Sequence, residues 1–251
     1  MALYLVMIAQ KYNSITRLFN VKYYSYPMDK VRTIVVNRSA YADNDAEANL
    51  LRQYLHDKGV FLVNVMSSPG AGKTTTLIRL INELKKTYRI GVMEADIDSD
   101  VDAINVAKET GVKSIQIHTS GMCHLDAGMT KSGLDGIDIS DLDLVFLENV
   151  GNLVCPAEFD TGACLDVMIL SIPEGDDKPL KYPLIFEKCD LVMINKIDTL
   201  DYFNFDLKKC NDTILFRNPN ATIIPISAYN GSGIDKVATY FVNKIQNWRR
   251  R

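Results

Sequence analysis

VFLVNVMSSPGAGKT, residues 60–74, runs from an apolar segment into a glycine-rich turn that ends in Lys73 and Thr74. A short apolar run is typical of a buried strand, and a helical pattern over 75–87 follows the turn. A glycine-rich turn between a strand and a helix directs backbone N–H groups at phosphate oxygens. The stretch therefore predicts a phosphate loop in a nucleotide-binding domain.

The chemistry of a phosphate loop assigns a role to several of its residues. Gly70 and Gly72 allow the tight backbone, Lys73 reaches the β- and γ-phosphates, and Thr74 places its hydroxyl on Mg²⁺. Ser67 stands where the strict pattern has its first glycine. The predicted nucleotide contacts of the loop are Gly70, Ala71, Gly72, Lys73, Thr74 and Thr75.

Strand-like and helix-like segments alternate on both sides of the loop. This alternation predicts an α/β fold, with a mostly parallel sheet covered by helices on both faces. Strands are expected at 60–66, 89–94, 114–117, 142–148, 166–171, 191–195 and 222–226, and helices at 42–58, 75–87 and 101–110.

Composition excludes several classes of protein. The 251 residues are 47% hydrophobic and 24% charged, with a net charge of −3, which is ordinary for a globular protein. We expect no nucleic-acid partner, because no basic face is visible, and no membrane span, because no apolar run reaches about 18 residues. An odd count of five cysteines favours reduced thiols or a metal site in a cytoplasmic protein.

The chain divides at about residue 28. Residues 29–251 are predicted to form a single domain that contains the phosphate loop, and residues 1–28 an extension of uncertain status. The extension has three interpretations: a start codon upstream of the true one at Met28, a disordered arm, or a targeting segment.

The motif NKID, Asn195–Asp198, follows the apolar run LVMI and predicts guanine recognition. A carboxylate such as Asp198 accepts hydrogen bonds from both N1–H and the amino group of guanine, which adenine does not offer. After the next strand, Ser227 and Ala228 are placed to direct a backbone N–H at the guanine carbonyl oxygen. NKID, including Lys196, and the Ser-Ala pair together favour GTP over ATP. The alternative role for Asp198 is that of a helix N-cap.

Acidic residues after two strands predict the magnesium side of the site. Glu148 follows LDLVFL and opens the sequence ENVG, in which Gly151 is placed to turn its amide towards a γ-phosphate. Asp96 follows the second strand, whereas Asp98 and Asp100 are equally well read as a solvated loop that caps a helix. The predicted Mg²⁺ ligands are Thr74, Asp96 and Glu148, and the predicted catalytic residues are Lys73, Asp96 and Glu148.

Cys123, His124 and Cys155 form a candidate site for a softer metal. Thiolate and imidazole ligands select Zn²⁺ or Ni²⁺ over Mg²⁺. Three ligands fall short of a closed tetrahedral site, which favours an open site or one completed by a second copy. A nearby helix N-terminus is expected to favour the Cys123 thiolate. A Cys-His dipeptide on its own is usually incidental, and the remaining cysteines are interpreted as buried small residues: Cys164, Cys189 and Cys210.

Four stretches together resemble the HypB family of hydrogenase nickel-incorporation GTPases: GMCHLDAGM, FLENVGNLVCPAEFDTG, SIPEGDDKPLKYP and VMINKID. The resemblance covers residues from about 29 to 247. It implies binding of GTP or GDP and Mg²⁺, a homodimer in the nucleotide-bound state, and delivery of Ni²⁺ to the hydrogenase large subunit alongside other maturation factors. It also implies that Cys123, His124 and Cys155 are the nickel ligands.

Two departures from related patterns sharpen the resemblance. No cysteine precedes Cys123, and His56 is the only histidine before His118, so the separate high-affinity nickel site of some members is not expected. Ala157 follows Cys155 and Pro156, whereas the urease branch has Cys-Pro-His.

These patterns predict a GTP-hydrolysing metallochaperone. Because Glu148, Gly151 and Cys155 share one short segment, metal affinity is expected to depend on the nucleotide state. Slow intrinsic turnover is expected, since the segments that begin at Asp96 and at Glu148, which we call the switch segments, contain no obvious arginine finger or glutamine. Two alternatives stay open: a non-catalytic metal or nucleotide storage or scaffold protein, and a small-molecule kinase on the same fold.

Overall fold

A nine-stranded sheet forms the centre of the protein. The computed structural model describes residues 22–25, 31–35, 44–96 and 100–250. The strand order is β1-β2-β5-β4-β6-β3-β7-β8-β9, and every pairing is parallel except β1 with β2. The strands are β1 (Lys22–Ser25), β2 (Val31–Val35), β3 (Phe61–Ser67), β4 (Ile90–Asp96), β5 (Lys113–His118), β6 (Leu144–Glu148), β7 (Leu165–Ser171), β8 (Leu191–Asn195) and β9 (Thr222–Pro225).

Helices cover both faces of this sheet, as predicted. On β3, Val63 packs in the core that contains Leu77 and Phe241, whereas Leu62 points to the opposite face and packs with Leu55 and Leu134. The helices are α1 (Asn44–Lys58), α2 (Lys73–Leu84), α3 (Val101–Thr110), α4 (Ala127–Ile137), α5 (Cys155–Glu158), α6 (Lys178–Lys181), α7 (Pro183–Lys188), α8 (Leu207–Arg217) and α9 (Ile234–Arg249). In the described ranges, no helix is long and apolar enough to cross a membrane.

The seven predicted strands are all present, with ends that differ by up to two residues. Sequence reasoning missed three long helices, of which α4 is the most instructive. It contains three glycines, a residue type that weakens helices. Gly133 is needed there, because a Cβ would lie 2.6 Å from Ile117 Cδ1 on the sheet.

Two sequence predictions concern segments that adjoin residues outside the described ranges. β1 lies within the first 28 residues, and the domain boundary at residue 29 stays a prediction. Asp98 lies outside the described residues. Asp100 directly precedes α3, as predicted, although its side chain makes no capping hydrogen bond.

Candidate nucleotide and metal site

The phosphate loop joins β3 to α2 at the carboxyl ends of the strands, where ligands bind in open parallel sheets. Gly70 and Gly72 have φ of 75° and 93°, which L side chains rarely adopt. A Cβ at Gly72 would also lie 2.6 Å from Asn195 Nδ2. Lys73 Nζ donates to Ser67 Oγ at 3.1 Å, so the serine at the first-glycine position contacts the phosphate-binding lysine.

A cavity of about 40 Å³ lies beside the loop, at the ends of β4, β5 and β6. The predicted residues Lys73, Asp96, Glu148 and Gly151 all line it, together with Glu94, Ala95, Asp102, Gln116 and Asn149. Thr74 Oγ1 donates to Glu148 Oε1 at 3.1 Å. The other oxygen, Oε2, is buried and has no hydrogen-bond partner, so this pair offers the hard oxygen donors that Mg²⁺ prefers.

Glu94 is a functional candidate that sequence reasoning missed. It pairs in register with Glu148 across β4 and β6, and both carboxyl groups are buried. Burial and the neighbouring Glu148 raise the pKa of Glu94 well above its usual value. Burial also raises the pKa of Glu148, but the hydrogen bond to Glu94 and the charge of Lys73 oppose that rise. Both pKa values are therefore raised by the same burial, and that of Glu94 is raised further by its neighbour.

Gln116 is a second residue that the sequence did not single out. It lies on β5, its side chain is 1% exposed, and its Oε1 has no hydrogen-bond partner. The expectation of no glutamine concerned the switch segments; this glutamine reaches the cavity from a strand. Only the register of β5 against β4, which pairs Gln116 with Glu94, reveals its position.

The NKID residues are bonded directly to the phosphate loop. Asn195 Nδ2 donates to the Ala71 carbonyl oxygen at 2.9 Å, and Lys196 Nζ donates to that of Gly70 at 2.7 Å. The two backbone N–H groups of the predicted Ser-Ala loop donate within the protein: that of Ala228 to Asn195 Oδ1 at 3.0 Å and that of Ser227 to the Ser232 carbonyl oxygen at 2.9 Å. These contacts make the phosphate loop, NKID and the Ser-Ala loop one unit.

Asp198 lies in a 3₁₀ turn, 197–202, whose N-cap is Lys196. The alternative role of Asp198 as a helix cap is therefore wrong. Its Oδ1 instead accepts a hydrogen bond from Ser227 Oγ, the other residue predicted for the base site. Arg79 of α2, which the sequence did not suggest, donates to the carbonyl oxygens of Ala228 and Tyr229 at 3.1 and 2.9 Å.

The predicted soft-metal ligands are close together but are not arranged around a common point. Cys123 Sγ lies 4.0 Å from His124 Nδ1, and the Cys155 side chain is a hydrogen-bond partner of Cys123. The His124 ring stacks on Phe159, with ring centroids 3.6 Å apart. Over the described residues, no group of three or more His, Cys, Asp or Glu side chains is placed to hold a metal ion.

The expectation of a helix-stabilised Cys123 thiolate is wrong. α4 begins only at Ala127, and Asp126 caps it by accepting from the Met129 N–H at 2.7 Å. The hydrogen bond with Cys155, together with burial, raises the pKa of Cys123 instead of lowering it.

Cys189 and Cys210 are buried, as predicted, whereas Cys164 is only partly buried. Burial raises the pKa of Cys164 to about 11 and that of Cys210 to about 12. It also raises the pKa of Cys189 well above its usual value.

Comparisons with known proteins point to one family. The family model described as CobW/HypB/UreG, nucleotide-binding domain, matches residues 61–225. Hydrogenase maturation factor HypB of Rhizobium leguminosarum bv. viciae is 41% identical over 208 residues, which cover 83% of this chain and 69% of that protein. Hydrogenase/urease maturation factor HypB of Helicobacter hepaticus is 37% identical over 223 residues, 87% of this chain and 91% of that protein.

Two solved structures agree with these relatives. The crystal structure of HypB from Helicobacter pylori in complex with nickel has a TM-score of 0.78 and 34% identity, covering 82% of this chain and 96% of that one. HypB from Archaeoglobus fulgidus has a TM-score of 0.75 and 35% identity, covering 81% of this chain and 99% of that one.

Proposed function

This chain belongs to the HypB family of hydrogenase maturation factors, and on that premise we propose that it hydrolyses GTP and delivers nickel to a hydrogenase, with metal affinity coupled to nucleotide state. The observation that carries the proposal is the course of one segment. Glu148 and Gly151 line the cavity beside Lys73, and Cys155, four residues further on, contacts Cys123.

Hydrolysis is the attack of water on the γ-phosphorus, which yields GDP and phosphate. Lys73 and the N–H groups at the start of α2 stabilise the charge that develops on the phosphate oxygens. Thr74, Glu148 and Asp96 would hold Mg²⁺, which when bound offsets the charge of the phosphates. Gly151 is well placed for the γ-phosphate, because its Cα lies against the phosphate loop: a Cβ there would be 3.1 Å from Pro69 Cγ.

Guanine is read by Asp198. Its hydrogen bond with Ser227 orients the carboxylate, which has lone pairs on both oxygens and still accepts from N1–H and the amino group. Intrinsic turnover is proposed to be slow, since no arginine is among the residues that line the described cavity.

Nickel is the cargo in this proposal, and Cys123, His124 and Cys155 are its ligands; Zn²⁺ would use the same donors. To take part, His124 must leave its stack on Phe159. Three ligands leave a position for a group of a second copy or of a receiving protein. We propose a homodimer in the nucleotide-bound state, with other maturation factors and the hydrogenase large subunit as partners.

The proposal is tested with the full chain. Phosphate release is measured with GTP and with ATP, and nickel binding is measured by equilibrium dialysis for Cys123→Ala and Cys155→Ala. Cys210→Ala, which removes a buried thiol far from these ligands in the sequence, is the matched control. We expect slow hydrolysis of GTP only, and weaker nickel binding by the first two variants but not by the control.

Each alternative has its own signature in the same experiment. Nickel binding without phosphate release would indicate a storage protein. Transfer of phosphate to a third molecule would indicate a kinase. Equal nickel binding by all three cysteine variants would overturn the assigned metal ligands.

A further inference from the structure

Asn149 lies between Glu148 and Gly151, and its side chain is bonded inside the protein. The residue is 0% exposed. Its Oδ1 accepts from the Val150 N–H at 2.9 Å, and its Nδ2 donates to Asn64 Oδ1 at 3.0 Å. Its own backbone N–H donates to the Val65 carbonyl oxygen at 2.9 Å. Asn149 therefore connects the backbone leading to Gly151 with the central strand β3.

Asn64 continues this connection across the sheet. It is 1% exposed and sits in the middle of β3, in register with Leu147 of β6 on one side and Asp166 of β7 on the other. Its Nδ2 donates to Asp166 Oδ1 at 2.8 Å. Two buried side chains, Asn149 and Asn64, and the partly buried Asp166 thus form a hydrogen-bonded chain from the end of β6 across β3 to β7, which we call the buried amide chain.

Asp166 ends the chain with a carboxyl group that is only partly exposed to water. Burial raises its pKa to about 6, and the hydrogen bond from Asn64 opposes that rise. A buried carboxyl group destabilises a fold unless its partners are well placed, and apolar residues of similar volume often replace such groups without loss. A polar chain that packing alone does not require, and that ends on a phosphate-sensing segment, indicates a role in positioning.

We propose that Asn64 and Asp166 are positioning residues that fix Asn149 and, through its bond to the Val150 N–H, orient the Gly151 amide for the γ-phosphate. This inference rests on the proposed function, which assigns Gly151 to that phosphate. Only GTP carries the γ-phosphate, so disruption of the buried amide chain weakens binding of GTP relative to GDP. A purely structural role would weaken both nucleotides alike.

The test measures dissociation constants for GDP and for a non-hydrolysable GTP analogue. Asn64→Asp places a second carboxyl group against Asp166 and removes the donor between them. We expect the ratio of GTP-analogue affinity to GDP affinity to fall about tenfold, as for loss of one buried hydrogen bond to a charged group. Asp166→Leu, which removes the acceptor without adding charge, is expected to shift the ratio in the same direction if Asn64→Asp does not fold.

The double variant Asn64→Asp with Asp166→Asn exchanges the two groups. An aspartate at 64 accepts from Asn149 Nδ2 with one oxygen and from the new amide at 166 with the other, so the chain is rebuilt and only the bond between positions 64 and 166 changes its donor direction. We expect the affinity ratio to return to within about twofold of the wild-type value. Failure of this folded double variant to restore the ratio overturns the proposal.

Asn218→Asp is the matched control. Asn218 is also a partly buried asparagine, with Nδ2 donating to the Cys189 carbonyl oxygen at 2.9 Å, but it precedes β9 at the amino ends of the strands, away from the site. We expect a lower Tm and an unchanged affinity ratio. Wild-type hydrolysis of GTP decides the proposed function separately: a wild type that hydrolyses GTP, with an unchanged ratio in Asn64→Asp, overturns only the positioning role.

Discussion

In the nucleotide region, hydrogen bonds of 2.7 to 3.0 Å join Asn195, Lys196 and Ala228 to one another and to the phosphate loop. In the metal region, Cys123 and Cys155 contact each other while His124 stacks on Phe159. The first region is held together by hydrogen bonds among its own residues. The second has its ligands nearby but directed at one another and at an aromatic ring.

This difference separates the tasks of the two regions. Preorganised donors need no rearrangement when substrate binds, which suits a site that must stabilise one charge distribution. A site that must rearrange has an affinity that depends on how much the rearrangement costs, and a ligand elsewhere changes that cost if it favours one conformation. We therefore expect an effect of nucleotide state on metal affinity to act through the metal region.

The largest effect is expected from disrupting guanine recognition in the nucleotide region. Asp198→Ala removes the acceptor for two guanine donors, and sites built on such hydrogen bonds discriminate by roughly 10⁴-fold. We expect the preference for GTP over ATP to fall by up to roughly 10⁴-fold, while nickel binding to the nucleotide-free protein stays unchanged. Competition binding measures it, and Asp201→Ala in the same 3₁₀ turn is the control. A variant that keeps its guanine preference would contradict the assignment.

The next largest effect is expected from disrupting phosphate binding in the nucleotide region. Lys73→Ala removes the ammonium group that stabilises developing charge, and we expect GTP hydrolysis to slow by about 10²- to 10³-fold. Lys86→Ala is the control, because Lys86 is exposed and paired with Glu83. Phosphate release under saturating GTP is the measurement. A decrease of less than about threefold would remove Lys73 from the catalytic residues.

The parts of the site that were predictable from sequence are local in the chain. The phosphate loop and NKID each follow an apolar strand directly, so the strand and its functional residues are read together. Glu148 was predictable in the same way, since it comes immediately after such a run, and Asp198 lies three residues past the end of β8.

What the sequence did not reveal depends on which strands are neighbours. Glu94 meets Glu148, and Asn64 meets Asp166, only because β4 pairs with β6 and β3 pairs with β7. These strands are not consecutive in the chain, and their order is set by packing of the whole sheet. The stack of His124 on Phe159 has the same origin, because it joins the loop after β5 to residues after β6.

A smaller effect concerns the pH dependence of stability that the carboxyl group of Asp166 should cause. Its pKa rises from the usual 3.8 to about 6, so the folded state holds the proton more tightly than the unfolded state. The free energy of unfolding should therefore fall as pH rises from about 4 to about 6, by about 3 kcal/mol, and Asp166→Asn should abolish this dependence. Asp190 and Asp160 act in the same direction as burial, and Arg52 opposes it.

Urea unfolding at several pH values between 4 and 7 measures this dependence. Asp212→Asn is the control, since Asp212 is an exposed residue paired with Lys208. Parallel stability curves for wild type and Asp166→Asn would show that Asp166 titrates normally, and the pH-dependent destabilisation assigned to it would be wrong.

The smallest effect addresses the link between the two regions. If the γ-phosphate orders the segment that carries Gly151 and Cys155, nickel affinity should differ between the GTP-analogue and GDP states by about 5- to 150-fold. Only Cys155 lies on that segment; Cys123 follows β5. Cys155→Ala should therefore abolish the difference in nickel affinity between the two nucleotide states. Cys123→Ala should weaken nickel binding in both states but keep part of that difference.

Linkage supplies an internal check on that result. Whatever factor the GTP analogue applies to nickel affinity, nickel must apply to the affinity for the analogue, because both describe one coupling free energy. Competition titrations with a metal-sensitive dye and with a fluorescent nucleotide measure the two factors independently. Equal nickel affinities with GTP analogue and GDP would mean that the segment does not respond to the γ-phosphate. A change in nickel affinity would then have to come from partner proteins, because a nucleotide that binds two conformations equally well cannot shift the protein from one to the other.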